Sequence, residues 1–237
     1  MSARLRPEDL EPVERYFLML LFAPDSSERF AAPVKGKTWL QKEMFLLSKL
    51  RPELESEVDY EPHLMGSYSE VVDETAYQFA ISGYTEKIGD AMKLSLDGKK
   101  FAEGVWKGAS DEERRAVTDV KMLLNDLSQW ELFGLIYSEF PDMAINSEKH
   151  AEVITRRLDI AIRLLMKGKI PVEKAAAIAD KPLAAFLQIL KTRHVSLSQA
   201  ETRSIIQDRT LMEEIRGSRE DSRNRRLVAW KTIETSV

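Results

Sequence analysis

Residues 168–190 read GKIPVEKAAAIADKPLAAFLQIL, and this stretch predicts two short helices joined by a tight turn. Small residues let two helix backbones approach closely, and they occur at Ala175, Ala176 and Ala179. The apolar spacing of the second helix predicts that its buried side consists of Leu183, Phe186, Leu187 and Leu190. This is the packing that a helix-turn-helix requires, although a plain helical hairpin follows the same rules.

The composition of the chain changes shortly before this helix pair, near Asn146–Ser147. Residues 1–146 contain 17 Lys/Arg against 27 Asp/Glu, a net charge of −10, whereas residues 147–237 contain 18 against 12, a net of +6. The basic half is suited to nucleic acid or to an acidic protein, and phosphate repels the acidic half. Drift in surface charge is the alternative explanation.

The acidic half predicts three helices, a hairpin and a return helix. Glu11-Pro12 opens the first helix, Thr38 is the expected N-cap of the second, and Ser67 with Glu70 is the expected capping box of the third. Two short alternating runs within residues 84–96 flank Gly89-Asp90, which predicts a β-hairpin. This order of elements is that of a winged helix-turn-helix.

The predicted fold class is therefore mainly α. A winged helix-turn-helix domain with a helical extension covers residues 1–147, a second helix-turn-helix domain covers 148–200, and a charged helical arm or tail covers 201–237.

The basic half contains the candidate DNA-binding residues. Glutamine pairs with adenine in a bidentate manner, and Lys and Arg meet phosphate or guanine. The candidates are Arg156, Arg157, Lys181, Gln188, Lys191 and Arg193 around the helix pair, and Arg219, Arg223, Arg225 and Arg226 in the tail. The tail arginines also fit a solvated tail of mixed charge.

A different class of function, protein interaction, rests on apolar residues of the tail. Their amphipathic spacing would let a partner bind a helix in a groove. The candidate partner-binding residues are Ile205, Ile206, Leu211, Met212, Ile215 and Trp230. A protein partner, such as a toxin neutralised by this chain, is therefore the alternative to double-stranded DNA, and a homodimer is expected in either case.

The predicted third helix of the acidic half argues against DNA readout there. It carries Glu70, Asp73 and Glu74 and no Lys or Arg, which opposes the electrostatic attraction that dominates binding to phosphate. Four lysines near the hairpin, at positions 87, 93, 99 and 100, can touch a DNA backbone but equally form a solvated edge.

Composition and motifs together exclude several further classes of function. The chain has no cysteine, which excludes disulfides, thiolate metal sites and cysteine nucleophiles. We find no metal-ligand spacing among His63, His150 and His194, no phosphate-binding glycine loop, no signal peptide and no membrane span. We therefore expect a cytoplasmic binding protein without a cofactor, and not an enzyme.

Two resemblances agree with this expectation. The run from Leu158 to Ser196 contains a Gly-Lys pair, a helix with the pattern Ala-Ala-x-x-Ala and a helix with the pattern Phe-Leu-x-x-Leu, at Gly168, Lys169, Ala175, Ala176, Ala179, Phe186, Leu187 and Leu190. It resembles the short archaeal and bacterial antitoxin family of helix-turn-helix proteins, typically found beside PIN-domain ribonuclease toxins. The chain has Asp180 and His194 where that family prefers glycine. The resemblance implies a DNA-binding regulator with a toxin as partner.

The second resemblance concerns the acidic half. Its motifs are Thr38-x-Leu40-Gln41-Lys42, Gly66-x-Tyr68-Ser69, Leu94-Ser95-x-x-Gly98-Lys99, and Ile136-Tyr137 with Phe140-Pro141 and Ser147. They resemble uncharacterised archaeal winged-helix proteins related to the Panacea-type antitoxin domain. Met65-Gly66-Ser67 stands where that family has Tyr-Gly-Pro.

Overall fold

The computed structural model describes residues 6–197. Within these residues the protein is mainly helical, as predicted, with ten α-helices and four short β-strands. The helices are α1 (Pro12–Phe22), α2 (Lys37–Leu50), α3 (Pro52–Glu55), α4 (Glu70–Ile81), α5 (Leu96–Gly108), α6 (Asp111–Leu124), α7 (Gln129–Glu139), α8 (His150–Met166), α9 (Val172–Ile178) and α10 (Leu183–Thr192). The strands are β1 (Glu61–His63), β2 (Gly66–Tyr68), β3 (Thr85–Ile88) and β4 (Ala91–Leu94). Short 3₁₀ turns precede α1 and follow α7.

The backbone divides into two compact units, unit 1 (Met1–Arg156) and unit 2 (Arg157–Val237). The division falls inside α8, whereas the change in composition predicts boundaries at 147/148 and 200/201. Ser147 belongs to unit 1, where its hydroxyl lies 2.7 Å from that of Tyr137. The predicted domain limits remain predictions. No helix among residues 6–197 is long and apolar enough to cross a membrane.

The first helix is the centre of unit 1. Six consecutive residues of α1, from Tyr16 to Leu21, are almost fully buried, so the helix is covered on all sides. It packs against α4, α5 and α6. Its N-terminus is closed by a capping box in which Glu11 and Glu14 each accept from the other's backbone N–H.

The start of α2 differs from the prediction. The N-cap is Gly36 and not Thr38, which lies inside the first turn. Gly36 has φ 156° and ψ −178°, and a Cβ there would approach the Asp90 carbonyl oxygen to 3.1 Å. Glycine is therefore required where the chain enters α2 beside the β3–β4 turn.

The start of α4 also corrects the prediction. Residues 61–68 form the antiparallel hairpin β1–β2 and not a link, and Ser67 is a buried strand residue. The N-cap is Ser69, whose hydroxyl accepts from the Val72 N–H. The Gln41 side chain bonds both the N–H and the C=O of Ser69, each at 2.9 Å, so a buried amide on α2 sets this start. Sequence spacing does not show such a tertiary contact.

The second hairpin follows the prediction, with β3 and β4 paired across Gly89-Asp90. A third extended segment joins it, because Val34 and Met92 exchange backbone hydrogen bonds of 2.9 and 2.8 Å. Val34, Thr85 and Leu94 are all buried. Because alternate residues of a strand share a face, this face of the hairpin points into the core of unit 1.

Candidate nucleic-acid interface

Helices α9 and α10 of unit 2 pack as the helix-pair prediction requires. Ala175, Ala176 and Ala179 are buried, and Phe186 and Leu190 of α10 are buried beside them. Leu183 and Leu187, predicted to be buried, are half-buried. Ala184, Ala185 and Gln188, which a buried side made of those four residues would leave exposed, are half-buried as well. The reason is that α10 is apolar around most of its circumference, so its burial is not confined to one side of the helix.

Each of the three helices of unit 2 ends in the same type of turn. After α8, α9 and α10, the residues Gly168, Asp180 and His194 have φ values of 65°, 52° and 55°. The backbone N–H of the following residue donates to a carbonyl five residues back, as Lys181 does to Ala176 and Val195 to Leu190, both near 3.0 Å. This is the Schellman motif, in which a left-handed residue ends the helix.

The candidate cations on α10 are open to solvent. Lys181 precedes the helix and Lys191 lies in its last turn; both are exposed, and neither forms an ion pair with the residues that the structure describes. No acidic residue lies in α10. Eight helical residues, 183–190, lie between the two lysines, which corresponds to about 12 Å along the helix axis. The helix therefore presents positive charge near both ends without an opposing carboxylate of its own.

The candidate arginines of unit 2 are engaged with aspartates. Arg157 pairs with Asp180 at 2.6 Å, and Arg193 pairs with Asp159 at 2.5 Å. One pair therefore joins α8 to the turn before α10 and the other joins α8 to the end of α10. Both pairs are partly exposed, so each contributes at most about 1 kcal/mol and remains available for exchange with phosphate.

The other candidate residues do not lie with those of α10 in the described part of unit 2. Arg156 belongs to unit 1, where it pairs with Glu152 at 2.7 Å and lies 4.7 Å from the centre of the Trp130 ring. The structure therefore groups Lys181, Gln188, Lys191, Arg157 and Arg193 in unit 2. The remaining candidates, namely Arg219, Arg223, Arg225, Arg226, Ile205, Ile206, Leu211, Met212, Ile215 and Trp230, lie outside the described residues.

A second exposed surface lies on α4 of unit 1. We call it the α4 face and define it as Glu70, Val71, Glu74, Tyr77 and Ile81, all exposed, with Tyr77 and Ile81 more than 60% open. The third carboxylate of the helix, Asp73, is withdrawn from it by a 2.8 Å ion pair with Lys37 and a bond from the Tyr68 hydroxyl. Acidic and apolar groups together are unsuited to DNA and suited to a protein.

The lysines near β3–β4 are only partly free. Lys93 pairs with Glu86 at 3.3 Å and Lys100 with Asp97 at 3.7 Å. Lys87 and Lys99 are exposed and have no ion pair among the described residues. Two unpaired lysines are therefore present here, as on α10, but acidic side chains are interspersed with them.

Buried ionisable residues in unit 1 are the feature that sequence reasoning missed. Lys42 and Lys121 are almost fully buried and donate to backbone carbonyls: Lys42 to Ser67 at 2.6 Å, and Lys121 to Leu20, Leu21 and Ala32 at 2.8, 3.3 and 2.9 Å. Burial lowers the pKa of Lys42 to about 7. A polar residue on the core side of a helix is the only signal in the sequence.

Glu43 is buried beside these lysines. Neither of its carboxylate oxygens has a hydrogen-bond partner among the described residues. Burial raises the pKa of Glu43 well above its usual range, while Lys121 and Lys35 oppose that rise. Since Lys121 has three acceptors and Glu43 has no donor, we expect a charged Lys121 and a protonated Glu43 at neutral pH.

Comparison with protein-family models, with curated proteins and with solved structures finds no match to this chain. Within residues 6–197 no group of three or more His, Asp or Glu side chains is placed to hold a metal ion. The candidate functional surfaces are therefore the exposed side of α10 and the α4 face.

Proposed function

We propose that this protein is a DNA-binding regulator that contacts duplex DNA through α9 and α10. The observation that carries the proposal is the pair of exposed, unpaired lysines, Lys181 and Lys191, at the two ends of a helix without acidic residues. Phosphate contacts by Lys and Arg supply most of the affinity of DNA-binding proteins. In this arrangement α10 is the reading helix, and Gln188 is its residue for base recognition.

The turns of unit 2 support the helix-turn-helix and antitoxin resemblance on which this proposal also draws. The family that unit 2 resembles prefers glycine at the positions of Asp180 and His194. Both residues adopt left-handed φ, which glycine adopts without strain. Asp180 and His194 thus adopt the backbone conformation that glycine would adopt at these positions.

We also infer that unit 1 is a winged helix whose role is not DNA readout. Helices α1, α2 and α4 and the hairpin β3–β4 occur in the required order, and Val34 forms a β-bridge to Met92 of the hairpin. The α4 face occupies the position of a reading helix. Its exposed carboxylates, Glu70 and Glu74, favour a protein contact there.

Charge reversal in the full-length chain tests the DNA proposal. Replacing both lysines, as Lys181→Glu with Lys191→Glu, should weaken binding to duplex DNA and reduce the slope of log affinity against log salt by about two. The control is Lys99→Glu with Arg115→Glu, which changes the net charge equally at exposed positions of unit 1. Fluorescence anisotropy across a salt series measures both. If the control abolishes binding and the unit 2 variant does not, α10 is not the DNA-binding helix.

The second candidate function is protein interaction through the α4 face. Exposed Tyr77 and Ile81 between carboxylates are the observation that favours it. A homodimer is the first contact to test: Tyr77→Ser with Ile81→Ser should lower the sedimenting mass of the full chain. Leu96→Ser with Ile145→Ser is the matched control, since both residues are equally exposed elsewhere in unit 1. An unchanged mass in the first variant removes the α4 face as a subunit contact.

A further inference from the structure

Unit 1 contains a groove beside the α4 face, with which it shares Tyr77. Its volume is about 640 Å³, and it lies between the first turn of α2, one side of α4 and the inner face of β3–β4. Its apolar part is formed by the small side chains of Ala76 and Ala80 together with Tyr77 and Met92. A flat apolar group fits this part, because two alanines leave space beside α4.

Two polar groups that line the groove lack partners. The Trp39 indole Nε1 and the Thr85 Oγ1 are buried atoms, and neither has a hydrogen-bond partner among the described residues. Thr85 is only 5% exposed. A buried polar group without a partner is costly, so a bound molecule that supplies a partner is favoured. Because the indole N–H only donates, a group that bonds it must accept.

The first turn of α2 adds further donors to the same wall. Its N-cap is Gly36, which has no side chain to cap the helix, and the first turn has no acidic residue. The first backbone N–H groups of a helix have no partner within the helix and attract anions. Lys35 and Lys37 also line the groove, although Lys35 donates to the Leu127 carbonyl at 2.8 Å and Lys37 pairs with Asp73 at 2.8 Å.

Acidic side chains oppose these donors only in part. Among the lining residues, Asp73 is paired with Lys37 and Glu86 with Lys93. Asp90 is the one lining carboxylate without an ion pair within residues 6–197. The groove therefore combines the unpaired donors of Trp39 and Thr85 and the start of α2 with apolar side chains of α4 and β4.

We propose that this groove is a binding site for a small aromatic carboxylate. The ring lies against Ala76, Ala80 and Met92. The carboxylate accepts from the Trp39 Nε1–H and the Thr85 O–H beside the start of α2. This site is separate from the DNA contact proposed for unit 2, so either proposal stands if the other fails.

The direct test is the indole N–H signal of Trp39 in the full-length protein with ¹⁵N-labelled tryptophan. The chain has four tryptophans, and Trp39→Phe assigns the signal. Phenylacetate should shift the Trp39 signal saturably, and neutral phenylacetamide should bind at least about tenfold more weakly, since charged acceptors form the stronger bonds. Equal binding of the two probes, or no saturable shift with phenylacetate, overturns the proposal. Inorganic phosphate that shifts Trp39 as strongly as phenylacetate also overturns it, in favour of a phosphate site.

Two variants separate binding from folding. Ala80→Phe fills the apolar part and should abolish the shift, whereas Ala177→Phe, an exposed alanine of α9, should leave it unchanged. Thr85→Val keeps the shape and removes the unpaired hydroxyl, so it should keep or raise thermal stability while weakening phenylacetate several-fold. Wild-type affinity in Thr85→Val, or an unchanged shift in a folded Ala80→Phe, contradicts the site.

Discussion

Units 1 and 2 stabilise their helices by different chemistry. In unit 1, buried lysines reach across the core to backbone carbonyls, as Lys121 does at the end of α1. In unit 2 all three helices end at a left-handed residue, as α4 of unit 1 does at Gly83, and alanines bring α9 and α10 together. The core of the acidic half holds ionisable groups of both kinds, because Lys42 and Lys121 are buried together with Asp25, Glu43 and Glu131. Most of its acidic residues nevertheless lie outside the core, at the surface, which is the part that selects partners.

The largest effect is expected from removing Lys121. Lys121→Met leaves up to three buried carbonyls without a donor and removes one of the two lysines that act on Glu43, which should lower the free energy of unfolding by about 4 kcal/mol. Arg115→Met, on the exposed side of the same helix, should change it by less than about 0.5 kcal/mol. Urea unfolding followed by tryptophan fluorescence measures both, because Trp39, Trp106 and Trp130 lie in unit 1. Similar stabilities of the two variants would show that Lys121 is dispensable.

The next largest effect is expected from a larger side chain in the alanine packing of unit 2. Ala175 is fully buried between helices, so Ala175→Leu should destabilise unit 2 by roughly 2 kcal/mol through overpacking. Ala177→Leu adds the same side chain on the exposed side of α9 and should be nearly neutral. Hydrogen exchange at the amides of α9 and α10 reports the difference. If Ala177→Leu is the more damaging variant, the helix pair packs through another side.

Several local features of both units can be predicted from the sequence, and the predicted helix starts that are wrong have a common cause. The start of α1 at Glu11-Pro12, the hairpin at Gly89-Asp90 and the alanine face of α9 are local patterns, and the structure contains all three. The starts of α2 and α4 were misplaced because tertiary contacts at Gly36 and Gln41 decide them. Spacing within one segment does not contain that information.

The candidate sites also differ in whether the sequence alone predicts them. Exposure of Lys181 and Lys191 follows from the apolar pattern of α10, so the sequence predicts it correctly. The groove at Trp39 and Thr85 joins residues from α2, α4 and β3, and only the assembled unit shows it. The aspartate partners of Arg157 and Arg193 are likewise distant in sequence or across a turn.

A smaller effect concerns the buried carboxyl of unit 1. Glu43 has a raised pKa in the folded protein, whereas in the unfolded chain it ionises near pH 4.3. Between these values the folded state binds more protons than the unfolded state, so stability falls as pH rises. The wild type should therefore lose at least about 1 kcal/mol relative to Glu43→Gln between about pH 5 and about pH 8. A constant difference across this range would show that Glu43 is ionised in the folded protein.

The smallest effect compares two left-handed residues of unit 2. His194→Gly relieves backbone strain at a position where the side chain is exposed, so it should stabilise unit 2 by about 1 kcal/mol. Asp180→Gly relieves similar strain but also removes the ion pair with Arg157, worth about 0.2–1 kcal/mol, so its gain should be smaller. The difference between the two gains should shrink in high salt, because salt screens the exposed pair. Thermal unfolding at low and high salt measures this. If Asp180→Gly is the more stabilising variant under both conditions, the Arg157 pair contributes nothing to folding, and Arg157 is held in place for another role, such as contact with phosphate.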